Sequence, residues 1–266
     1  MGQVIRMERP GRDASGAAAA PVPALTSALD PALADAVSQA CAAVSHNLNG
    51  QKLGRKGRIT RERILAAAIE LIESDEEPVT LSAVARKASL GMTSLYNYFN
   101  DLTELLLAVL EPVMATAEAS YLLLLRERWP EDAVYERCYA FVKAYHCFWS
   151  RHSRLLHLRN ALADQQDERM MRHRIESTRP IIQLLVRQMD EYAVDGGPVT
   201  SMATMLMIGI ERSVTLATDR ELRRLVSMPP EVSEDRFLIP GARLMEFAIR
   251  DARALDVPVH PGALFG

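Results

Sequence analysis

The chain has 266 residues, 48% of them apolar and 24% charged, which fits one large domain or a small and a medium one and excludes a disordered or fibrous protein. Its 31 Lys and Arg stand against 34 Asp and Glu, so the bulk charge of −3 by itself predicts no affinity for nucleic acid. Three cysteines without a C-x-x-C pair argue against a disulfide framework or a zinc module, and the longest apolar run, 202–210, is too short to cross a bilayer. A cytoplasmic setting with no membrane partner is expected.

Residues 1–30 are rich in Ala, Pro and Gly without a period and are expected to be disordered. Pro21, Pro23 and the lack of a Leu-rich segment argue against a signal peptide. Asp30 as N-cap and Pro31 at N1 then open a short helix over 31–46, with Leu33, Val37, Cys41 and Val44 forming an apolar stripe. That stripe needs a partner surface, on this chain or on another. The block 51–63 follows, where Lys52, Arg55, Lys56, Arg58, Arg61 and Arg63 face Glu62 alone for a net of +5. A dense basic block beside a helical pattern suits a phosphate-binding arm, with a solvated linker as the plain alternative.

Past residue 58 the pattern is helical almost throughout, broken at Pro78, Gly91, Asn100–Asp101, Trp129–Pro130, 195–198, Pro229–Pro230 and Pro240–Gly241, which predicts an all-α bundle. Ile64, Leu65, Ala68, Leu71 and Ile72 share one helical face, and the acidic run 74–77 with Pro78 ends it. The acidic residues between Glu70 and Glu77 are expected to face away from phosphate as a solvated helix end and loop. Thr80 caps a second, short helix with Leu81, Val84 and Ala85 inward, and Ala88–Gly91 leads to a third over 92–98. Two short helices joined by about four residues describe a helix-turn-helix. Side chains at the front of its second helix reach base edges, and aromatic hydroxyls reach phosphates.

The run Arg61-x-x-Ile64-Leu65-x-Ala67-Ala68, then Thr80-Leu81-x-x-Val84-Ala85-x-x-Ala88, then Leu95-Tyr96-x-Tyr98-Phe99 and Leu105, resembles the DNA-binding domain of TetR-family transcriptional regulators over about 58–106. The resemblance implies that the third helix is the recognition helix, with Met92, Thr93, Ser94 and Asn97 toward bases or sugars and Tyr96 and Tyr98 toward phosphate. Arg55, Lys56, Arg58, Arg61 and Thr80 complete the expected DNA-binding set, and Leu90, Leu95 and Phe99 the core. This chain departs from the family in having Ser89 where Gly is usual, Gly91 where Ser is usual, and Leu102 where a phosphate-binding Lys is usual. A turn with φ > 0 at 89 is strained by Ser. The basic block is a physical substitute for the missing Lys, since Arg55, Lys56 and Arg58 can straddle the adjacent minor groove.

Beyond 101, Asp101 caps a connecting helix of Leu102, Leu105, Leu106, Val109 and Leu110, which Pro112 is expected to kink. A helix over 131–150 carries Val134, Cys138, Phe141, Val142, Tyr145, Phe148 and Trp149 at helical spacing. Core packing is the ordinary reading; the sharper one is a ligand-cavity wall, with Phe141, Tyr145 and Trp149 joined by the pliable Met171 and Met205. The histidines show no metal-ligand spacing and no catalytic motif appears, so neither metal, cofactor nor enzymatic activity is expected. Two late helices, 199–218 and 241–255, stand where the family forms its dimer interface, and Gly209 suggests close helix approach there.

The expected organisation is an N-terminal extension (1–50), a basic arm with helix-turn-helix (51–101), and an all-helical effector-binding and dimerisation domain (102–266). The expected function is a nucleoid-associated repressor that binds a palindromic double-stranded operator as a homodimer and is released by a small apolar or amphipathic effector. The alternative is an architectural or occluding DNA-binding factor of the same fold, controlled by a protein partner docked on the helix at 31–46.

Overall fold

The computed structural model describes residues 31–74, 77–189, 196–225 and 235–254. The expected disorder of 1–30, the Asp30 cap and the Pro229–Pro230 break lie outside the described residues. The fold is all-α: among the described residues there is no strand, and one isolated antiparallel bridge joins His46 to Lys52. No described helix is long and apolar enough to cross a membrane.

Helix α1 (Pro31–Ala43) ends three residues before its expected limit. Its stripe of Leu33, Val37 and Cys41 is buried against α2 (Arg55–Ser74) and α5 (Leu102–Ala115), so the chain itself supplies the partner surface. Between α1 and α2 the chain forms a tight hairpin. Leu53 N–H donates to Ser45 O (2.8 Å), Asn47 N–H to Gln51 O (2.9 Å), and Gly50 N–H to Asn47 O (3.0 Å). The Asn47 carboxamide oxygen accepts from the N–H groups of Asn49 and Gln51, an Asx turn that the left-handed Gly50 (φ +71°) completes. Leu53 is buried beneath it.

The basic block, expected as an arm at 51–63, lies mostly within α2. Of the six basic residues in 51–63, only Lys52 belongs to the hairpin; the other five lie in the first three turns of α2. Arg and Lys are good helix formers, and the buried face of α2, from Ile64 to Ile72, gives the helix a long footing on the core.

Helix α3 (Leu81–Lys87) packs on α2 and on α4 (Met92–Tyr96), α4 stopping two residues short of expectation. Asp101 caps α5 as expected, accepting from Glu104 N–H at 2.8 Å. The helix runs through Pro112 and stops at Thr116, where α6 (Ala117–Ser120) and a 3₁₀ turn over 122–125 follow. Buried Gln188 locks that turn. Its amide donates to Leu125 O and Glu127 O, and its carbonyl accepts from Trp129 N–H.

The remainder comprises α7 (Val134–Arg151), α8 (Ser153–Asp164), α9 (Glu168–Met189), α10 (Pro198–Thr218), the short α11 (Arg220–Leu225) and α12 (Asp235–Ala254). Helix α12 begins six residues before its expected start and runs through Pro240, as α9 runs through Pro180. A proline removes one N–H donor, and packing of Leu238, Ala242, Met245 and Ile249 outweighs that loss. Gly209 does not mark a close approach within the chain: it is exposed, with no atom within 4 Å of where a Cβ would lie.

Because α1 completes the core, Leu33→Ala is expected to lower the unfolding free energy by about 2–3 kcal/mol and the melting temperature by roughly 5–10 °C. An unchanged thermal melt would show that α1 carries no structural load.

Candidate nucleic-acid interface

Helix α3 starts at Thr80, whose hydroxyl oxygen accepts from Ala83 N–H (3.2 Å) and lies 3.0 Å from Ser82 Oγ. Thr80 thus has a capping role whatever else it touches. The helix ends in a Schellman turn: Leu90 N–H donates to Ala85 O (2.8 Å) and Ser89 N–H to Arg86 O (3.0 Å). Ser89 takes the left-handed conformation (φ +52°), which a serine adopts only with strain. Gly91 N-caps α4 with extended backbone, so glycine serves there despite having no capping side chain.

Helix α4 buries Leu95 and exposes Thr93, Ser94 and Tyr96, the last 49% accessible. Met92 is half-buried against the core. Asn97 differs from expectation. Its side-chain oxygen accepts from Asn49 Nδ2 (2.9 Å) and its backbone oxygen from Leu48 N–H (3.1 Å), so the hairpin holds it and it is not a free base-reading group. Tyr98 is half-buried and its hydroxyl turns toward α2: a Cβ on Gly57 would lie 3.7 Å from that oxygen and 2.8 Å from Leu53 Cδ2. No sequence pattern announced this contact between hairpin and α4, because it joins residues 48 apart.

The basic residues divide. Lys52, Arg55 and Lys56 are exposed. Arg61, expected to contact DNA, is half-buried with its guanidinium 4.5 Å from the centroid of the buried Phe99 ring. That stacking commits it to the core. Arg58 is half-buried with its Nε enclosed. Glu70 pairs with Lys87 (3.0 Å) and Glu77 with Arg86, both cations at the end of α3.

Two polar links join this region to the body. Asp101 accepts from Arg169 Nη1 (3.0 Å), and Thr103 donates to Asp167 Oδ2 (2.7 Å), where Asp167 also caps α9 through Met170 N–H. Arg154 of α8 donates to the carbonyls of Ile72 and Glu73 at the end of α2.

Phe141, Tyr145 and Trp149 are buried on α7, where Tyr145 packs with Tyr121, Phe141 and Trp149. Tyr145 and Trp149 line a gap of ≈ 10 Å³ with Tyr121, Arg159, Ser177 and Glu211, about the size of one water; Phe141 and Met171 do not. Met205 is 74% exposed on α10, away from these aromatics. It lines an apolar groove of ≈ 730 Å³ between α10 and α12 with Met202, Leu206, Phe237 and Leu244. The expected pocket residues are therefore not one cluster.

Arg159 is 4% exposed and holds the polar side of the gap: Nε and Nη2 donate to Asn160 Oδ1, Nη1 to Ser177, and Nη2 meets Glu211 at 3.4 Å. Burial, and then the nearby Arg159 charge, push the His173 imidazole down to about 4. Among the described residues no group of His, Cys, Asp and Glu is placed to hold a metal ion. The chain matches no family model and no curated protein.

Relieving the left-handed serine should stabilise the turn, so Ser89→Gly is expected to add about 1 kcal/mol and raise the thermal midpoint by roughly 2–4 °C. His173 binds its proton less readily folded than unfolded, so its contribution is complete above about pH 6.5 and is lost as pH falls toward 4. Urea denaturation at pH 7 and pH 5 should show a smaller stability loss for His173→Gln than for the parent; equal losses would refute the linkage.

Proposed function

We propose that this protein is a homodimeric, effector-responsive transcriptional regulator of the TetR type, with a helix-turn-helix domain ahead of a helical effector and dimerisation body. The observation that carries the reading is α3, its Schellman turn and α4, which leave Thr93, Ser94 and Tyr96 exposed on one short helix near the exposed cations Lys52, Arg55 and Lys56. Such a helix offers short polar side chains to a major groove, with a phenol and cations for the flanking phosphates. It would act in the cytoplasm, on the nucleoid.

One reading helix spans too few base pairs for specificity, so two-fold symmetry and a palindromic operator follow. The apolar groove between α10 and α12 supports a dimer, since Met205 and Leu244 in its lining are 74% and 61% exposed and Phe247, also on α12, is 66% exposed. A second copy is the occupant that this symmetric requirement supplies.

The effector is proposed to be small and apolar or amphipathic, received by the aromatic cluster around Tyr145 and Trp149. A gap of ≈ 10 Å³ admits no such molecule without repacking, so binding selects a different arrangement of the body. The Asp101–Arg169 and Thr103–Asp167 links offer a route from α9, which lines the gap through Ser177 and Thr178, to the start of α5. Repression follows if the effector-bound arrangement holds the two reading helices at a spacing that does not fit the operator. The protein-partner alternative gains no support from α1, whose apolar stripe is occupied within the chain.

Selection of duplexes from a random-sequence library with the full-length protein is expected to enrich a palindrome. Thr93→Ala and Ser94→Ala should each cost about 1–3 kcal/mol on the selected site while leaving binding to unrelated duplexes unchanged. Phe247→Glu, read by light scattering, should yield a monomer. Failure to enrich any sequence would refute the reading.

A further inference from the structure

We infer that the Ser45–Leu53 hairpin is a second DNA-contacting element, seated at the C-terminal end of α4 and bearing on the phosphates that flank the bases offered to Thr93 and Ser94. The inference rests on the reading of α4 as the base-reading helix.

The hairpin is built and fixed, unlike a trailing arm. The Asx turn at Asn47, the left-handed Gly50 and the Ser45–Leu53 hydrogen bond set its shape. Leu53 anchors its base beside Gly57, where any larger residue would press on Leu53 Cδ2. At its tip Leu48 N–H and Asn49 Nδ2 both donate to Asn97, the residue that ends α4. The tip is therefore held at a set place relative to the reading helix, and Asn97 is the strut that holds it.

Helix α4 is only five residues long, so its two ends are close to one another. When its N-terminal residues face base edges, an element fixed at its other end lies over the adjoining backbone. Charge says what that element meets. Between Asp35 and Glu62 the sequence contains no acidic residue, while Lys52, Arg55 and Lys56 are exposed. Among the described residues no carboxylate pairs with any of the three. His46, Asn49 and Gln51 add exposed polar groups, and none of the hairpin's side chains is anionic. A fixed hairpin without anionic side chains, with cations that no described carboxylate pairs, beside a base-reading helix is complementary to a polyphosphate backbone.

Lys52, exposed on the hairpin, then supplies a phosphate contact outside the bases. Pre-organisation distinguishes this contact from that of a flexible arm. The hairpin loses little conformational freedom on binding, and it fixes how far outside the base contacts the backbone is gripped.

The test uses the full-length protein and a duplex enriched from a random library by that protein. Fluorescence anisotropy across a salt series gives the slope of log K against log salt, and hydroxyl-radical cleavage gives the protected sugars. Lys52→Gln is expected to lower the magnitude of the slope by about 1 per protomer and to remove protection at the outer edge of each half-site, while sequence preference is retained. Asn49→Ala, which frees the tip from Asn97, should weaken the same outer protection. Lys143→Gln, an exposed control on α7, should leave slope and footprint unchanged. If the parent binds its duplex and Thr93→Ala weakens its preference as expected, but Lys52→Gln matches the parent in slope and footprint, the hairpin contact is overturned and the reading of α4 stands. If the parent enriches no duplex, both fall.

Discussion

The architecture depends on enclosing α5. Leu105, Leu106, Val109, Leu110 and Val113 are all buried, and they cover too wide an arc of the helix for one neighbour to shield. Helix α2 takes one side, α9 another, and α1 a third. At about 1.5–3 kcal/mol for each large apolar side chain buried, this requirement outweighs the local preferences of the segments that meet it. It explains why the extension before α2 folds back, and why the hairpin after α1 is brought against α4. The polar N-terminus of α5 is held separately, through Asp101 and Thr103, to the start of α9. Helix α5 is thereby gripped on its apolar flanks by core packing and at its tip by hydrogen bonds.

Charge follows the same division. The sequence collects six cations in thirteen residues and a run of acids just beyond. Folding sorts them further. Arg61 goes to the Phe99 ring, and Lys87 and Arg86 to Glu70 and Glu77, leaving Lys52, Arg55 and Lys56 exposed toward the hairpin side. Charge density along the chain marked the basic block, and only the fold identified which of its cations stay exposed without a carboxylate partner among the described residues. A cation that has entered a core stack contributes packing in place of long-range attraction.

In the body, the aromatic wall and the methionines separate into two surfaces of different character. Tyr121, Tyr145 and Trp149 close on Arg159 around a gap with room for one water. Burial holds both phenols protonated, and Arg159 shares its donors among Asn160, Ser177 and Glu211. A satisfied polar core of this kind specifies one arrangement, and a ligand must offer equivalent hydrogen bonds to displace it. Met205, Leu244 and Phe247 instead face outward from α10 and α12, where the cost of leaving apolar surface in water favours a second apolar surface.

The sequence by itself determined the all-α class, the positions of most helices, and the Thr80 and Asp101 caps. These are legible because hydrophobic period, capping groups and turn geometry act between residues a few positions apart. It also marked Leu33, Val37 and Cys41 as a stripe requiring a partner, without naming the partner. Tertiary structure decided that α5 and α2 cover that stripe and that most of the basic block is helical. It also decided that Asn97 is engaged by Asn49, that Met205 lies apart from Tyr145, and that α12 passes through Pro240. Each of these depends on contacts between residues distant in sequence, or on burial outweighing a local preference. No period or propensity within a single segment encodes them.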